Sequence, residues 1–125
     1  MGSPGIIQQL YKVKDSYNCD VLSLAAATAA LEDQEHMLAN RARTVATRAR
    51  MATALRQLGF DVTDSHANFV WCRNARPVKP FYEELKKRKI LVRYMNYPTY
   101  GDGLRISVGS EAETDRLLEE LRRIL

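Results

Sequence analysis

Two short apolar runs near the C-terminal end constrain the fold of this 125-residue chain most strongly. The first run covers residues 90–92 and the second covers residues 104–108, and the stretch between them is rich in Tyr, Asn, Pro and Gly. Short aliphatic runs bounded by Gly and Pro are typical of strands. The pattern therefore predicts two strands joined by a loop.

Each of these two predicted strands carries one arginine. Arg105 lies between Leu104 and Ile106, so the pleat points it to the face opposite these two residues. Arg93 closes the first predicted strand at the mouth of the loop. An arginine in an apolar strand is costly to bury unless a negative group meets it, and its planar fork suits a carboxylate or a phosphate. Both side chains are placed to face one small anion; the alternative is an internal salt bridge.

The first half of the chain predicts helices. Helical spacing of apolar residues predicts lead-in helices within residues 6–32 and one long helix over residues 33–58, which Gly59 would end. The alanine-rich second helix requires a closely packed partner, because its small side chains allow close approach. The long helix has an apolar stripe formed by Leu38, Ala42, Val45, Ala49, Ala52 and Leu55.

The second half alternates between strands and helices. Alternating and apolar runs predict strands over residues 60–63 and 67–72, and a helix follows to about Lys89. After the strand pair, Ser110 to Glu113 form a capping-box pattern that opens a last helix. The predicted fold is α+β: N-terminal helices, then β-β-α-β-β-α, with helices on one face of a small mixed or antiparallel sheet, in a single domain over residues 1–125.

Composition predicts a soluble globular domain. Hydrophobic residues make up 46% and charged residues 27%, and no apolar run approaches the length of about 20 residues needed to cross a bilayer. The first residues, Met1 to Gly5, lack the basic start and apolar middle of a signal peptide. We therefore expect a cytoplasmic protein.

Cysteines and histidines give no metal or redox pattern. Cys19 and Cys72 lie in unlike settings without CxxC spacing, so we expect two free thiols and no zinc site. His36 and His66 are isolated from each other and from the cysteines, which is typical of surface or structural histidines.

The net charge of +4, with a pI near 9.2, leaves a nucleic-acid interaction open. The arginines that would carry it lie on the long predicted helix, but no aromatic residues interleave with them. A solvated or interface helix face is the first interpretation, and a basic module that binds RNA or an acidic protein is the alternative. These arginines are Arg41, Arg43, Arg48, Arg50 and Arg56.

The chain also resembles a known family. The Ile-Leu-Val-Arg pattern ending at Arg93, followed by Leu-Arg-Ile-Ser-Val-Gly-Ser over residues 104–110, resembles the C-terminal end of the histidinol-phosphate aminotransferases. Three further stretches fit in order, at residues 12–18, 58–60 and 65–70. These enzymes are fold-type I aminotransferases that use pyridoxal phosphate, and the resemblance covers nearly the whole chain but only the C-terminal third of such an enzyme.

The resemblance implies a small domain without its catalytic partner. In similar enzymes the catalytic lysine and the groups that hold pyridoxal phosphate belong to a large domain that would precede residue 1. None of the lysines here sits in the serine-rich context of the family's catalytic lysine. The parent protein is then expected to be a cytoplasmic homodimer that transfers an amino group between histidinol phosphate and 2-oxoglutarate in histidine biosynthesis, while the 125 residues alone are inactive and bind no cofactor.

Site residues follow from matching positions. Arg105 resembles the arginine that receives an acidic group of the substrate, and Arg93 resembles the second arginine near the substrate phosphate. Asn68 matches the asparagine of the family's Ala-Asn-Phe strand, where a structural role is expected. Tyr17 matches a turn entering the small domain, although Ser16 stands where the family commonly has proline.

Two further interpretations remain open at this stage. The substrate class is not fixed by two arginines, so the parent is alternatively another amino-acid aminotransferase or a phosphothreonine decarboxylase. Helices that lack the large domain would also leave an apolar patch, which favours self-association of the chain.

Overall fold

A computed structural model describes residues 2–16 and 18–125 of the chain. Backbone contacts divide the chain into two compact units, Met1–Leu38 and Ala39–Leu125. Tyr17, proposed above from the family resemblance, lies outside the described residues.

The first unit contains two complete helices and the first turn of a third. These helices are α1 (Pro4–Val13), α2 (Val21–Glu32) and the start of α3 (Gln34–Gln57). The side chain of Asp20 caps α2 by accepting a hydrogen bond of 2.9 Å from the backbone N–H of Ser23. Every described residue of this unit is exposed, so the described part of the chain provides no partner for the alanine-rich face of α2.

The second unit confirms the predicted α+β fold and its β-β-α-β-β-α order. Its four strands form one antiparallel sheet in the order β1-β2-β4-β3. Each pair of strands is followed by one helix, as the sequence predicted. After α3 the elements are β1 (Phe60–Val62), β2 (Phe69–Asn74), α4 (Lys79–Lys87), β3 (Arg93–Tyr97), β4 (Gly101–Ser107) and α5 (Glu111–Ile124).

The predicted bounds of the strand pair are wrong. Residues 90–92 precede β3, and Arg93 opens that strand instead of closing it. The reason lies at the end of α4, where Lys89 adopts a left-handed conformation with φ of 60°. Its N–H donates to the carbonyl of Lys86, and the N–H of Ile90 donates to the carbonyl of Leu85. This pattern is a Schellman motif. It makes Ile90, the first residue of the apolar run, part of the helix ending and not of a strand.

The other three strands also differ from the sequence prediction by one to three residues. β1 ends at Val62, one residue early, and β2 covers residues 69–74 instead of 67–72. β4 starts at Gly101, three residues early, so the loop between β3 and β4 shrinks to residues 98–100. The hairpin is therefore tighter, and its strands longer, than the turn-forming residues indicated.

One face of the sheet, called the covered face, packs against the helices. It presents Val70, Cys72, Leu104 and Ile106, each 2% exposed or less. The helical side of this core comes from the second half of α3 and from α4 and α5. It consists of Met51, Leu55, Phe81, Leu85, Leu117, Leu118 and Leu121. The predicted arrangement, in which helices cover one face of the sheet, is confirmed.

The predicted apolar stripe of α3 is wrong in its first half. Leu38 and Val45 are 54% and 40% exposed, whereas Thr47, Met51 and Leu55 are buried. The buried positions recur every four residues and occupy only the later turns of α3. A polar residue is tolerated there because the hydroxyl of Thr47 donates a hydrogen bond to the carboxylate of Glu111.

The smaller structural predictions are also settled. Ser110 and Glu113 form the expected capping box at the start of α5. Cys19 and Cys72 are free, as predicted, and burial raises the pKa of the Cys72 thiol to about 12. Among the described residues, no helix combines the length and the apolar character that a membrane-crossing segment requires.

Candidate functional site

The second face of the sheet, called the open face, differs in chemistry from the covered face. Along β2 the pleat turns Phe69, Trp71 and Arg73 to the open face, while the residues between them enter the core. β3 and β4 alternate in the same way. The candidate site residues Arg93 and Arg105 therefore lie, with the aromatic side chains of β2, on the side that the helices leave uncovered.

Two arginines stand directly opposite each other on this face. Arg93 of β3 and Arg105 of β4 are paired in the strand register, so their side chains leave the sheet on the same side. Trp71 of β2 is the partner of Arg105 on its other flank. Arg93 is exposed and Arg105 is half-buried. The register thus aligns two guanidinium groups and one indole across three neighbouring strands.

The two arginines, called the arginine pair, share one cavity of about 680 Å³. Within residues 2–16 and 18–125, neither of them forms an ion pair with an acidic residue. Two like charges side by side in a cavity repel each other, and an anion between them relieves that repulsion. The full lining is Thr63, Phe69, Trp71, Arg73, Arg93, Met95, Tyr97, Tyr100 and Arg105.

A third arginine of the cavity is engaged by the protein itself. Arg73 forms a salt bridge of 2.7 Å with Asp61, its neighbour on β1. It also donates a hydrogen bond of 3.2 Å to the backbone carbonyl of Tyr100, at the hairpin between β3 and β4. Arg73 therefore connects one edge strand of the sheet to the hairpin turn, and its charge is partly neutralised.

Aromatic rings form the wall of the cavity beside the arginine pair. The Trp71 ring lies directly on the backbone of Gly103, where a Cβ atom would come within 2.2 Å of the indole. Tyr97 also packs on Trp71, with ring centroids 5.9 Å apart. Gly103 is thus required at this position, because any side chain would displace the tryptophan.

The remaining predicted site residue contributes backbone contacts. Asn68 lies one residue before β2 and is exposed. Its carbonyl accepts a hydrogen bond of 2.8 Å from the N–H of Val108, which follows the end of β4. The backbone of Asn68 therefore joins the start of β2 to the end of β4.

Beyond the arginine pair, the sequence did not assign the lining residues to the site; three of those missed, Phe69, Trp71 and Arg73, lie on β2. Each occupies an alternate position of β2, opposite in direction to Val70 and Cys72. The period of two along this strand was the available signal. The predicted strand, 67–72, included Phe69 and Trp71 but ended before Arg73.

The basic helix considered above is largely engaged within the chain. Arg50 forms salt bridges with Glu111 and Asp115, and Arg56 forms one with Asp64. The side chain of Arg48 donates to the carbonyl of Ala67. Three of the five arginines therefore bind groups of the domain itself, which counts against an RNA-binding stripe.

The lining of the cavity does not fit a covalent pyridoxal phosphate site. Such a site needs a lysine in a desolvated pocket, together with an acidic partner for the ring nitrogen of the cofactor. No lysine and no carboxylate belong to the lining of this cavity in the described part of the chain. The residues at hand suit the recognition of an anion.

Comparison with known proteins defines the class of this domain. The chain belongs to the family "Aminotransferase class I and II", whose sequence profile matches residues 1–121. Pyridoxal phosphate is the cofactor that this family implies for a protein containing the domain.

Particular relatives narrow the comparison. The chain is 48% identical to the histidinol-phosphate aminotransferase of Rhodopirellula baltica, covering all of this chain and 35% of that protein. It is 36% identical to the histidinol-phosphate aminotransferase of Clostridium acetobutylicum, covering all of this chain and 37% of that protein. The chain thus spans about a third of the length of the curated relatives that it matches.

Solved structures agree with the fold. A crystal structure from Burkholderia pseudomallei K96243, provisionally assigned as an aminotransferase, matches 96% of this chain and 37% of its own chain with a TM-score of 0.86 and 35% identity. The histidinol-phosphate aminotransferase of Sinorhizobium meliloti, solved in complex with pyridoxal-5'-phosphate, gives a TM-score of 0.83 at 24% identity, with 98% and 35% covered. At that identity the second match supports the fold alone.

Proposed function

We propose that this chain is the substrate-recognition domain of a pyridoxal-phosphate-dependent histidinol-phosphate aminotransferase. In this proposal the parent protein transfers an amino group between histidinol phosphate and 2-oxoglutarate. The curated relatives carry that name over the full length of this chain. They are about three times as long, which leaves room for a cofactor-binding large domain.

The observation that carries the proposal is the arginine pair. Arg93 and Arg105 share one face and one cavity, and no carboxylate of the described residues neutralises them. A phosphate monoester offers several oxygens and a charge near −2, so it can accept hydrogen bonds from both guanidinium groups. An internal salt bridge, the alternative considered from the sequence, is not formed by either side chain in the described part of the chain.

In the proposed reaction the residues of this chain bind and orient the substrate. Arg105 and Arg93 hold the phosphate, so that the reacting end of the substrate points away from the sheet. Asn68 keeps β2 and β4 together at their ends by its contact with Val108. Pyridoxal phosphate, bound elsewhere in the parent, supplies the electron-withdrawing group that transamination requires. The 125 residues alone are expected not to transaminate.

The wider setting of the proposal follows the family. We place the parent in the cytoplasm as a homodimer, with the large cofactor-binding domain as the direct partner of this chain. The alternatives within the fold are another amino-acid aminotransferase and a phosphothreonine decarboxylase. Comparing the rate of the full-length protein on histidinol phosphate with its rate on phenylalanine separates these enzymes, and a preference for phenylalanine would overturn the assignment.

The anion site can be tested on the chain itself by titration with inorganic phosphate. Trp71 is the only tryptophan of the chain and flanks Arg105, so its fluorescence reports binding. Arg105→Gln should lower the phosphate affinity about tenfold or more, because it removes charged hydrogen bonds worth about 1.5–3 kcal/mol. Arg93→Gln should act in the same direction.

The control is Arg41→Gln, which removes an equal charge from an exposed position of α3. It should leave the phosphate affinity unchanged within about twofold. Equal losses in the Arg41 and Arg105 variants would mean that phosphate responds to net charge only. That result would exclude an anion site at the arginine pair and would favour the alternative of a basic module that binds RNA or an acidic protein.

A further inference from the structure

Arg105 stacks on an aromatic ring of the neighbouring strand. Its guanidinium carbon lies 3.9 Å from the centroid of the Phe69 ring. Phe69 belongs to β2 and is paired with Ser107 in the register, two positions along β4 from Arg105. The contact is therefore diagonal across the two strands, within the reach of a long side chain.

Stacking leaves the binding edge of the guanidinium group available. The ring contacts the flat face of the group, whereas all five N–H donors point outward in its plane. A carboxylate partner would instead occupy those donors, and Arg105 has no such partner among the described residues. The ring thus holds the side chain without competing with an anion.

We infer that Phe69 is a positioning residue that fixes the Arg105 guanidinium for anion binding. This inference rests on the proposed function of the arginine pair. A free arginine loses rotamer freedom when it binds an anion, and this loss weakens binding. Stacking against Phe69 restricts the side chain beforehand, so less freedom remains to be lost.

Hydrogen bonds also hold the backbone that carries the Phe69 ring. The carbonyl of Phe69 accepts a hydrogen bond of 2.6 Å from the hydroxyl of Ser65, and the same hydroxyl accepts one of 3.1 Å from the N–H of Ala67. On the other side, the contact between Asn68 and Val108 connects this turn to the end of β4. The turn before Phe69 is therefore closed by Ser65 and tied to the end of β4 through Asn68.

The test compares Phe69→Leu with Phe69→Tyr in phosphate titrations of the chain. Leucine retains apolar volume without a π face, whereas tyrosine retains the face. Phe69→Leu should weaken phosphate binding about fivefold, which corresponds to about 1 kcal/mol. Phe69→Tyr should bind within about twofold of the wild type. Tyr82→Leu removes an aromatic ring that packs on Tyr94 outside the cavity, and it should have no effect on binding.

A second readout follows the stacking itself. In proton–nitrogen NMR spectra, the ring current of Phe69 should shift the Arg105 side-chain signals upfield. This shift should vanish in Phe69→Leu and persist in Phe69→Tyr, and thermal unfolding of each variant establishes that it is folded. If Phe69→Leu does not fold, the test rests on the Arg105 shift in the wild type and on Phe69→Tyr. A loss of phosphate affinity in Phe69→Tyr with the upfield shift retained would overturn the inference.

The outcomes separate this inference from the function on which it rests. Absence of phosphate binding by the wild-type chain would count against the arginine pair as an anion site. Wild-type binding that persists unchanged in folded Phe69→Leu would instead exclude the positioning role of Phe69 alone. Loss of affinity together with loss of the upfield shift supports both.

Discussion

The two faces of the sheet carry opposite chemistry on the same strands. In β4, Leu104 and Ile106 face the helices and are 2% exposed or less, whereas Arg105 between them faces the open cavity. In β2, Val70 and Cys72 alternate with Phe69 and Trp71 in the same way. One face therefore forms the core, and the other carries the proposed anion site. The difference implies that substitutions one residue apart should affect different properties.

The largest effect is expected on the covered face. Leu104→Ala should reduce the free energy of unfolding by about 2–5 kcal/mol, because it removes a fully buried side chain and leaves a cavity. Chemical denaturation monitored by circular dichroism measures this loss. The matched control is Leu91→Ala, at a position that is 81% exposed, with an expected change within about 0.5 kcal/mol. Equal effects at the two positions would contradict the assignment of Leu104 to the core that the covered face forms.

On the open face, the largest effect on stability is expected at Gly103. Gly103→Ala should destabilise the domain by about 1–3 kcal/mol, because the added Cβ would lie 2.2 Å from the Trp71 ring and would force it to move. The emission of Trp71 should shift toward that of a more exposed indole. Gly5→Ala, where nothing lies within 4 Å of the added Cβ, should change neither property. Unaltered emission in Gly103→Ala would mean that Trp71 does not depend on this contact.

A smaller effect on stability is expected at Arg105, although its proposed role is large. Arg105→Gln should change the free energy of unfolding by at most about 1 kcal/mol, because the side chain has a stacking contact and no ion pair. The same denaturation experiment measures it beside Leu104→Ala. A loss as large as that of Leu104→Ala would show that the open face also carries the stability of the fold.

The smallest effect on stability is expected at the start of α5, one of the helices that cover the sheet. Hydrogen bonds from the backbone and the hydroxyl of Ser110 lower the pKa of Glu113 at the start of α5. The carboxylate therefore stabilises the fold above its ordinary pKa near 4.5, and this contribution is lost as the pH falls through the lowered value. Glu113→Gln should make the unfolding midpoint depend less on pH below about 4.5. An identical pH profile in both proteins would exclude this contribution.

Much of this division could be predicted from the sequence. The alternation of Leu104, Arg105 and Ile106 was enough to place the arginine opposite the core, because a strand has a period of two. The capping box at Ser110 and the order of elements were likewise local signals. What alternation cannot give is the partner of each strand, so the direct pairing of Arg93 with Arg105 required the structure.

The errors have two physical causes, one local and one tertiary. Residues 90–92 have the composition of a strand. Locally, however, the left-handed Lys89 and the N–H of Ile90 form the hydrogen bonds that end α4. A glycine at position 89 would have signalled the helix end, and lysine did not. On α3 the expected stripe included Leu38 and Val45, but only its later turns enter the core. Helical periodicity identifies a possible face without telling how much of it is covered.

The contrast between the two cysteines has a practical consequence. The raised pKa of Cys72, about 12, keeps this core thiol protonated and unreactive toward alkylating reagents in neutral solution, whereas Cys19 is exposed. A maleimide dye should therefore attach at one position of the native chain without mutagenesis. That attachment point lies just ahead of α2, in the unit whose described residues are all exposed. It offers a spectroscopic handle on those helices while the sheet remains unmodified.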